Sequence, residues 1–174
     1  CEALAKWERL SADMTTFLRA AYAETLDTTG ATIDVVVNNF SAGVPHRLKI
    51  SYPFLSEINP KIITASITGF GETGPGRNRV AFDMVAQASG GGMSITGHGE
   101  GDPVRAGIPI GDLGGGVMGI IGVLSALVAR QQTGRGQHVD ISMQDAQISL
   151  LNYMATMHFL SGETPDRIGN SHFV

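Results

Sequence analysis

Lys61-Ile62-Ile63-Thr64-Ala65-Ser66-Ile67 is a short run of mainly β-branched and small residues that leads directly into a glycine-rich loop, 69–76. Such a run predicts a strand whose carboxyl end opens into the loop. The β-branched run 32–37 is similar, and its composition suits a parallel strand that is covered on both faces. The loop 38–43 follows this earlier strand.

Helical patterns alternate with these strands along the chain. The spacing of apolar residues predicts helices over 1–27, 44–48, 52–58, 81–88, 113–131 and 144–160, and a third strand over 138–142. This alternation indicates an α/β fold with an open, mainly parallel, Rossmann-like sheet and flanking helices. Ligands of such sheets bind outside the carboxyl ends of the strands, which predicts that loops 38–43 and 69–79 share one rim.

Composition narrows the class of protein. The net charge of −4 offers no electrostatic basis for binding nucleic acid or an anionic membrane. The single cysteine, Cys1, excludes an internal disulfide framework and fits a reducing compartment. No run of about 18 uncharged apolar residues is present, so we expect a soluble, cytoplasmic protein without a membrane span.

The segment Ile110-Gly111-Asp112-Leu113-Gly114-Gly115-Gly116 places one carboxylate where a long apolar helix is predicted to begin. Aspartate is a favoured N-cap residue, and the positive end of the helix dipole favours its ionised form. The neighbouring glycines would let a bulky group approach the carboxylate. The segment alone is explained by capping and packing, but Asp112 is also a candidate catalytic residue.

Other motifs are weaker. The segment 69–74 matches G-x-G-x-x-G, but Pro75 and Asn78 follow where a helix should open, which favours a plain glycine turn over a dinucleotide site. The five histidines show no metal-ligand spacing, so no metal is expected. No nucleophile elbow or Walker-type phosphate loop is present.

Several segments together resemble one known family. They are 36–40, 59–71, 82–88, Gly111-Asp112 and 133–140, in the family's order and spacing. On these residues the chain resembles the class III CoA-transferases, the group of formyl-CoA transferase and carnitine-CoA transferase. The resemblance covers roughly residues 32 to 150, and residues 1–31 match only loosely.

The resemblance implies a substrate and a mechanism. The family's aspartate nucleophile falls on Asp112, which would carry a covalent aspartyl intermediate while CoA moves from an acyl-CoA to a carboxylic acid. The helix start would keep Asp112 ionised, and nearby amides would hold the oxyanion. The family's contacts to coenzyme A carry over onto Asn39, Phe40, Ser41, Arg47, Val80, Ala81, Phe82 and Asp83.

The chain also departs from the family pattern. Ser41-Ala42-Gly43 replaces the usual Arg-Pro-Gly or His-Pro-Gly, and Val80 stands where some members have a lysine. Family members are about twice as long, so the chain resembles an internal fragment that is inactive by itself. We expect residues 1–145 to form part of the large CoA-binding domain. Residues 146–174 would be a long helix and connection leading towards a missing second domain.

Two alternatives remain. The α-methylacyl-CoA racemase branch also has an aspartate at the Asp112 position but pairs it with a histidine where this chain has Phe82, which cannot move a proton. The second alternative is that the segment is a non-catalytic CoA-binding or assembly module. The family's interlocked dimers imply a homodimer, and neither the acyl group nor the acceptor acid follows from these residues.

Overall fold

The computed structural model describes residues 33–172, so the helices predicted within 1–27 lie outside the described residues. Three strands, β1 (Val35–Asn38), β2 (Ile63–Thr68) and β3 (His138–Ser142), form an open sheet in that order. Strands β1 and β2 are parallel, with Val35 opposite Ile63 and Asn38 opposite Ser66. The predicted α/β class with an open, mainly parallel sheet is confirmed.

The helices follow the predicted order. They are α1 (Val44–Arg47), α2 (Tyr52–Ile58), α3 (Asp83–Ser89), a 3₁₀ turn (Gly92–Ile95), α4 (Ile110–Thr133), α5 (Met143–Leu150) and α6 (Tyr153–Ser161). A proline in the first turn of α1 and of α2 explains where both begin, because its fixed φ suits that position and its missing N–H costs no helical hydrogen bond.

The single helix predicted over 144–160 is wrong. Helix α5 ends at Leu150, Asn152 has a φ of 47°, and α6 begins at Tyr153. Asparagine tolerates positive φ better than most residues, so the apolar periodicity continues while the backbone turns. The long helix expected after residue 146 is therefore two short ones, and the domain boundary at 145 stays a prediction.

The described residues form two compact units. The first holds 33–66 with Ile121–Val139, and its core is a cluster of Leu48, Ile50, Leu55 and Ile62. Polar contacts surround this core: the Tyr52 hydroxyl donates to the Gly136 carbonyl at 2.7 Å, and Arg130 pairs with Asp34 at 2.9 Å.

The second unit holds Ile67–Ile120 with 140–172. Ala86 of α3 and Met143 and Ala146 of α5 are buried in it. These residues pack on the glycines at the start of α4: a Cβ on Gly111 would lie 3.1 Å from Ala86 Cβ, and one on Gly115 would lie 3.0 Å from Met143 Cγ. The first turns of α4 are therefore in close contact with α3 and α5.

Helix α4 is long and apolar enough, by length and composition alone, to cross a membrane. This is weak support for a span, because the core helix of a soluble protein passes the same test. The sequence-based expectation was stricter, since it discounted the apolar stretch 117–129 within this helix as too short and too often interrupted by glycine and serine.

Candidate functional site

Asp112 lies in the first turn of α4 rather than at its cap. The Leu113 N–H donates to the Pro109 carbonyl at 2.9 Å, so the helical hydrogen bonds begin before Asp112. Its side chain is exposed, and within residues 33–172 no donor is bonded to its carboxylate. The prediction that Asp112 caps its own helix is wrong.

Asp83, the first residue of α3, supplies the missing cap. Its Oδ1 accepts from the backbone N–H groups of Gly111 at 2.8 Å and of Asp112 at 3.3 Å. These amides belong to the first turn of α4, where no helical carbonyl is available to them. Asp83 was predicted as a contact to coenzyme A, and the structure shows that it holds the start of the helix that carries Asp112.

Gln87 binds the second carboxylate oxygen of Asp83 and was not predicted as a site residue. Its Nε2 donates to Asp83 Oδ2 at 2.7 Å, and its Oε1 accepts from the Ala106 N–H at 2.8 Å. The side chain is 1% exposed. The spacing of Asp83 and Gln87, four residues apart on one helix, was the signal that could have revealed the pair.

The electrostatics of Asp112 differ from the expectation. Partial burial of its carboxyl group, and then the negative charge of Asp83, raise the pKa of Asp112 above the ordinary aspartate value. The expected dipole effect would have lowered it, but Asp83 occupies the amides that would have provided most of that stabilisation. A raised pKa makes the ionised carboxylate a stronger nucleophile once it loses its proton.

The glycines after Asp112 mainly serve helix packing. Gly111, Gly114 and Gly115 are buried, and a Cβ on any of them would lie about 3 Å from a neighbouring atom. At Gly116, by contrast, an added Cβ would meet no atom within 4 Å. Packing therefore explains Gly111, Gly114 and Gly115, and the approach of a bulky group past the glycines stays a prediction.

Residues 80–82 present apolar surface directly before Asp83. Val80 is 66% and Phe82 78% exposed, which is a large exposure for apolar side chains so close together. Ala81 lies against the backbone of Gly69, where an added Cβ would come within 2.4 Å of the Ala81 Cβ. A side chain at position 69 would collide with Ala81, which explains why the 69–74 motif begins with glycine. The next helix begins only at Asp83, as expected if the motif is a glycine turn.

The loop after β1 carries the other predicted contacts. Asn38 Nδ2 donates to the Ala65 carbonyl and to Ser66 Oγ, and its Oδ1 accepts from the Phe40 N–H. Asn38 thus anchors the loop to β2, a role that the sequence did not suggest. Asn39 is exposed and Phe40 is 43% exposed, so both are accessible to a ligand.

Ser41 and Arg47 flank α1 in this loop region. The Ser41 carbonyl accepts from the Val44 N–H at 3.0 Å, and the Ser41 side chain is exposed. Arg47 is exposed and forms no ion pair with a carboxylate in residues 33–172. Arg47 and Asn39–Ser41 belong to the first unit, whereas Asp112 and residues 80–83 belong to the second.

Possible metal ligands were compared within the described part of the chain. Among residues 33–172, no group of three or more His, Cys, Asp or Glu side chains is arranged to hold a metal ion.

An open, mainly parallel sheet with loops after β1 and β2, and a carboxylate in the first turn of a helix, define an α/β protein with a candidate nucleophile. The CoA-transferase family III model matches residues 23–174, and the chain belongs to this family.

Curated relatives support this membership. The chain is 44% identical over 140 residues to the acetyl-CoA:oxalate CoA-transferase of Acetobacter aceti, covering 80% of this chain and 36% of that protein. It is 42% identical over 143 residues to the succinyl-CoA:mesaconate CoA-transferase of Haloarcula hispanica, with the same coverage of 80% and 36%. The chain thus spans just over a third of the length of the curated relatives it matches.

A solved structure shows the same fold. The crystal structure of a CAIB/BAIF family protein from Brucella suis superposes with a TM-score of 0.77 at 39% identity. The match covers 80% of this chain and 37% of that chain. The described sheet and helices therefore correspond to one part of a longer family fold.

Proposed function

We propose that the protein to which this chain belongs is a CoA-transferase that moves CoA from an acyl-CoA to a carboxylic acid through a covalent intermediate on Asp112. The observation that carries the proposal is the accessible carboxylate of Asp112, which accepts no hydrogen bond from residues 33–172 while its backbone is held against Asp83. Family membership and the transferase names of the relatives support the reaction type.

The reaction balances with Asp112 as the protein group that forms and breaks covalent bonds. A carboxylate oxygen of Asp112 attacks the thioester carbonyl carbon, the C–S bond breaks, and CoA leaves as a thiolate with a mixed anhydride remaining. The thiolate then attacks the Asp112 carbonyl carbon, which releases the first carboxylate and forms an aspartyl-CoA thioester. An acceptor carboxylate takes CoA by the reverse of these two steps and regenerates the Asp112 carboxylate.

The accessible residues suit the binding of an acyl-CoA. Arg47 is an exposed guanidinium that can meet a phosphate of CoA bidentately. Phe40 and Phe82 offer exposed aromatic rings for its apolar and ring portions. We propose that these residues, with Asn39, Ser41, Val80 and Ala81, contribute to the CoA site, while Asp83 acts through the first turn of α4.

The names of the relatives suggest a class of acceptor. Oxalate and mesaconate are dicarboxylates, and a third relative, from Agrobacterium fabrum, is named succinate–glutarate CoA-transferase. We propose a small dicarboxylic acid as the acceptor of this protein as well, and a cytoplasmic homodimer as its working form. Light scattering on the full-length protein tests the dimer.

The decisive experiment traps the intermediate in the full-length protein. Incubation with acyl-CoA followed by hydroxylamine should convert Asp112 to a hydroxamate that mass spectrometry locates on its peptide. Asp112→Asn should abolish this product and lower kcat by about 10³-fold or more, because the nucleophile is lost. Asp145→Asn, a change to another exposed first-turn carboxylate, is the matched control and should retain both the hydroxamate on Asp112 and the native kcat.

Two outcomes would contradict the proposal. Full activity in Asp112→Asn would identify the chain as a non-catalytic CoA-binding or assembly module. Incorporation of α-deuterium from deuterated water into the acyl-CoA, without an acceptor acid, would instead identify a racemase.

A further inference from the structure

We propose that Gln87 is a positioning residue of the transferase site, which holds Asp83 so that Asp83 in turn fixes the first turn of α4 and the carboxylate of Asp112. The inference rests on the proposed function of Asp112. It deepens that function by assigning a role to a residue that never needs to touch the substrate.

The contacts form a continuous chain. The backbone N–H of Ala106 donates to Gln87 Oε1, Gln87 Nε2 donates to Asp83 Oδ2, and Asp83 Oδ1 accepts from the backbone of Gly111 and Asp112. Both functional ends of the Gln87 amide are used, at 2.8 and 2.7 Å, so the amide has one orientation that satisfies both partners. Gln87 therefore links the loop before α4, helix α3 and the first turn of α4.

Burial makes this arrangement rigid. Gln87 is 1% exposed, and a buried amide that lost either partner would leave an unsatisfied polar group. Gly111 also packs tightly here, since an added Cβ would lie 3.0 Å from Asp83 Oδ1. Asp83 consequently has little freedom to turn away from the amides while Gln87 holds its second oxygen.

The charged groups on the elements that pack around the start of α4 are few among residues 33–172. Asp83 is the titratable group of α3, and Asp145 is that of α5. Arg105 lies in the loop that leads into α4, and its guanidinium donates to the carbonyls of Ala106 and Gly107. A change of charge at Asp83 is therefore expected to act on Asp112 directly.

Three variants of the full-length enzyme separate positioning from stability. Gln87→Glu places a second carboxylate against Asp83, and Asp83→Asn leaves two amide groups facing each other with no orientation that satisfies all of their partners. Each single change disrupts the contact between the two side chains. Each is expected to lower kcat about tenfold or more, with the KM for acyl-CoA changing about twofold at most.

The double variant, Asp83→Asn with Gln87→Glu, reverses the hydrogen bond. The amide introduced at position 83 would keep its oxygen on the Gly111 and Asp112 amides and donate its N–H₂ to the new carboxylate at position 87. The second oxygen of that carboxylate would still accept from Ala106. The kcat should therefore recover to within about threefold of the native value.

The pH profile of the double variant gives a second readout. The acid limb of its kcat profile should lie at lower pH than in the native enzyme, because the negative charge stands one side chain further from Asp112. An acid limb that stays at its native pH would show that the charge at position 83 does not reach Asp112.

Gln147→Glu is the matched control. Gln147 is also buried, at 5% exposure, but it packs against Gly90 and Gly92 after the end of α3. This change should lower the melting temperature as the Gln87 change does, while leaving the acid limb of the kcat profile in place.

The outcomes distinguish the two proposals. A double variant no better than the product of its single variants, or a Gln87→Glu enzyme that loses only thermal stability, would overturn the role of Gln87. If the native enzyme forms no hydroxamate on Asp112, the proposed function itself fails. If it does form one, and the Gln87 variants form it at the native rate, only the positioning role fails.

Discussion

At the scale of single residues, two carboxylates have different roles in the site, since Asp83 caps α4 and Asp112 is the candidate nucleophile. Asp83 accepts the free amides at the start of α4, and the Asp112 carboxylate binds no donor among the described residues. The local pattern around Asp112 suggested that one aspartate would do both. A carboxylate that is occupied with capping amides is a poorer nucleophile, so separating the two tasks leaves Asp112 free to react.

The raised pKa of Asp112 predicts a stability cost for its ionised form. An acid whose pKa is higher in the folded than in the unfolded state binds its proton more tightly when folded, so stability decreases as pH rises through this range. Asp112→Asn should therefore raise the melting temperature of the full-length protein at about pH 7. The gain should shrink as the pH falls below the ordinary aspartate value of about 3.9. Calorimetry at about pH 7 and at a pH below about 3.9 measures this gain in melting temperature. An equal gain at the two pH values would contradict the prediction.

Arg47 is expected to act in binding rather than in chemistry. A charge-assisted hydrogen bond is worth about 1.5–3 kcal/mol, so Arg47→Gln should raise the KM for acyl-CoA by about tenfold or more. The kcat should stay within about twofold, because Arg47 would bind ground and transition states alike. Steady-state kinetics measure both constants. Lys49→Gln removes a neighbouring exposed cation as the control, and an equal rise in KM there would point to general attraction instead.

At the scale of elements, the start of α4 is defined by how closely α3 and α5 approach it. Its buried glycines remove the side chains that would separate the helices. The sequence showed the glycines and the apolar helix, but periodicity along one helix does not say which neighbours contact each face. The partners of Gly111, Gly114 and Gly115 required the tertiary structure.

Glycine-to-alanine changes within α4 should have opposite effects at two positions. Gly111→Ala places a Cβ 3.0 Å from Asp83 Oδ1 and 3.1 Å from Ala86 Cβ. This crowding should destabilise the protein by about 1–3 kcal/mol. Gly116→Ala meets nothing within 4 Å, and the better helix propensity of alanine should stabilise the helix by up to about 1 kcal/mol. Urea unfolding of both variants measures the difference, and a loss at Gly116 as large as at Gly111 would refute this account of the packing.

At the scale of the whole molecule, the chain leaves much apolar surface exposed. In the second half of α4, Leu124 is 57% and Val128 60% exposed, and with Ile121 they line a shallow groove of the first unit. Contiguous apolar surface of this kind attracts other apolar groups. The chain spans just over a third of the length of these relatives, so this surface corresponds to one part of the relatives' fold.

The 174-residue chain produced by itself should therefore bind the fluorescent dye ANS. Leu124→Lys should reduce the dye fluorescence by about half, because it interrupts the groove with a charge and removes one of its large apolar side chains. Ser125→Lys adds the same charge at the groove without removing a large apolar side chain and should reduce fluorescence much less. Equal reductions would show that charge alone, rather than the apolar groove, controls dye binding.

The sequence by itself determined the fold class and the family. Strand 138–142 and helix 52–58 were predicted with their observed bounds, because their patterns are local and their ends carry turn residues or prolines. Helix α4 was predicted in place but begins three residues earlier, and the break at Asn152 was missed, since one residue with positive φ leaves no trace in apolar spacing.

Only the tertiary structure decided how the carboxylates divide their roles. Asp83 and Asp112 are far apart in sequence, and the link through Gln87 and Ala106 joins three separate segments. Hydrogen bonds between distant segments depend on how helices pack, and packing is not encoded in the periodicity of any one of them. For the same reason, the sequence could name Asp112 as the candidate nucleophile but not the direction in which its pKa would move.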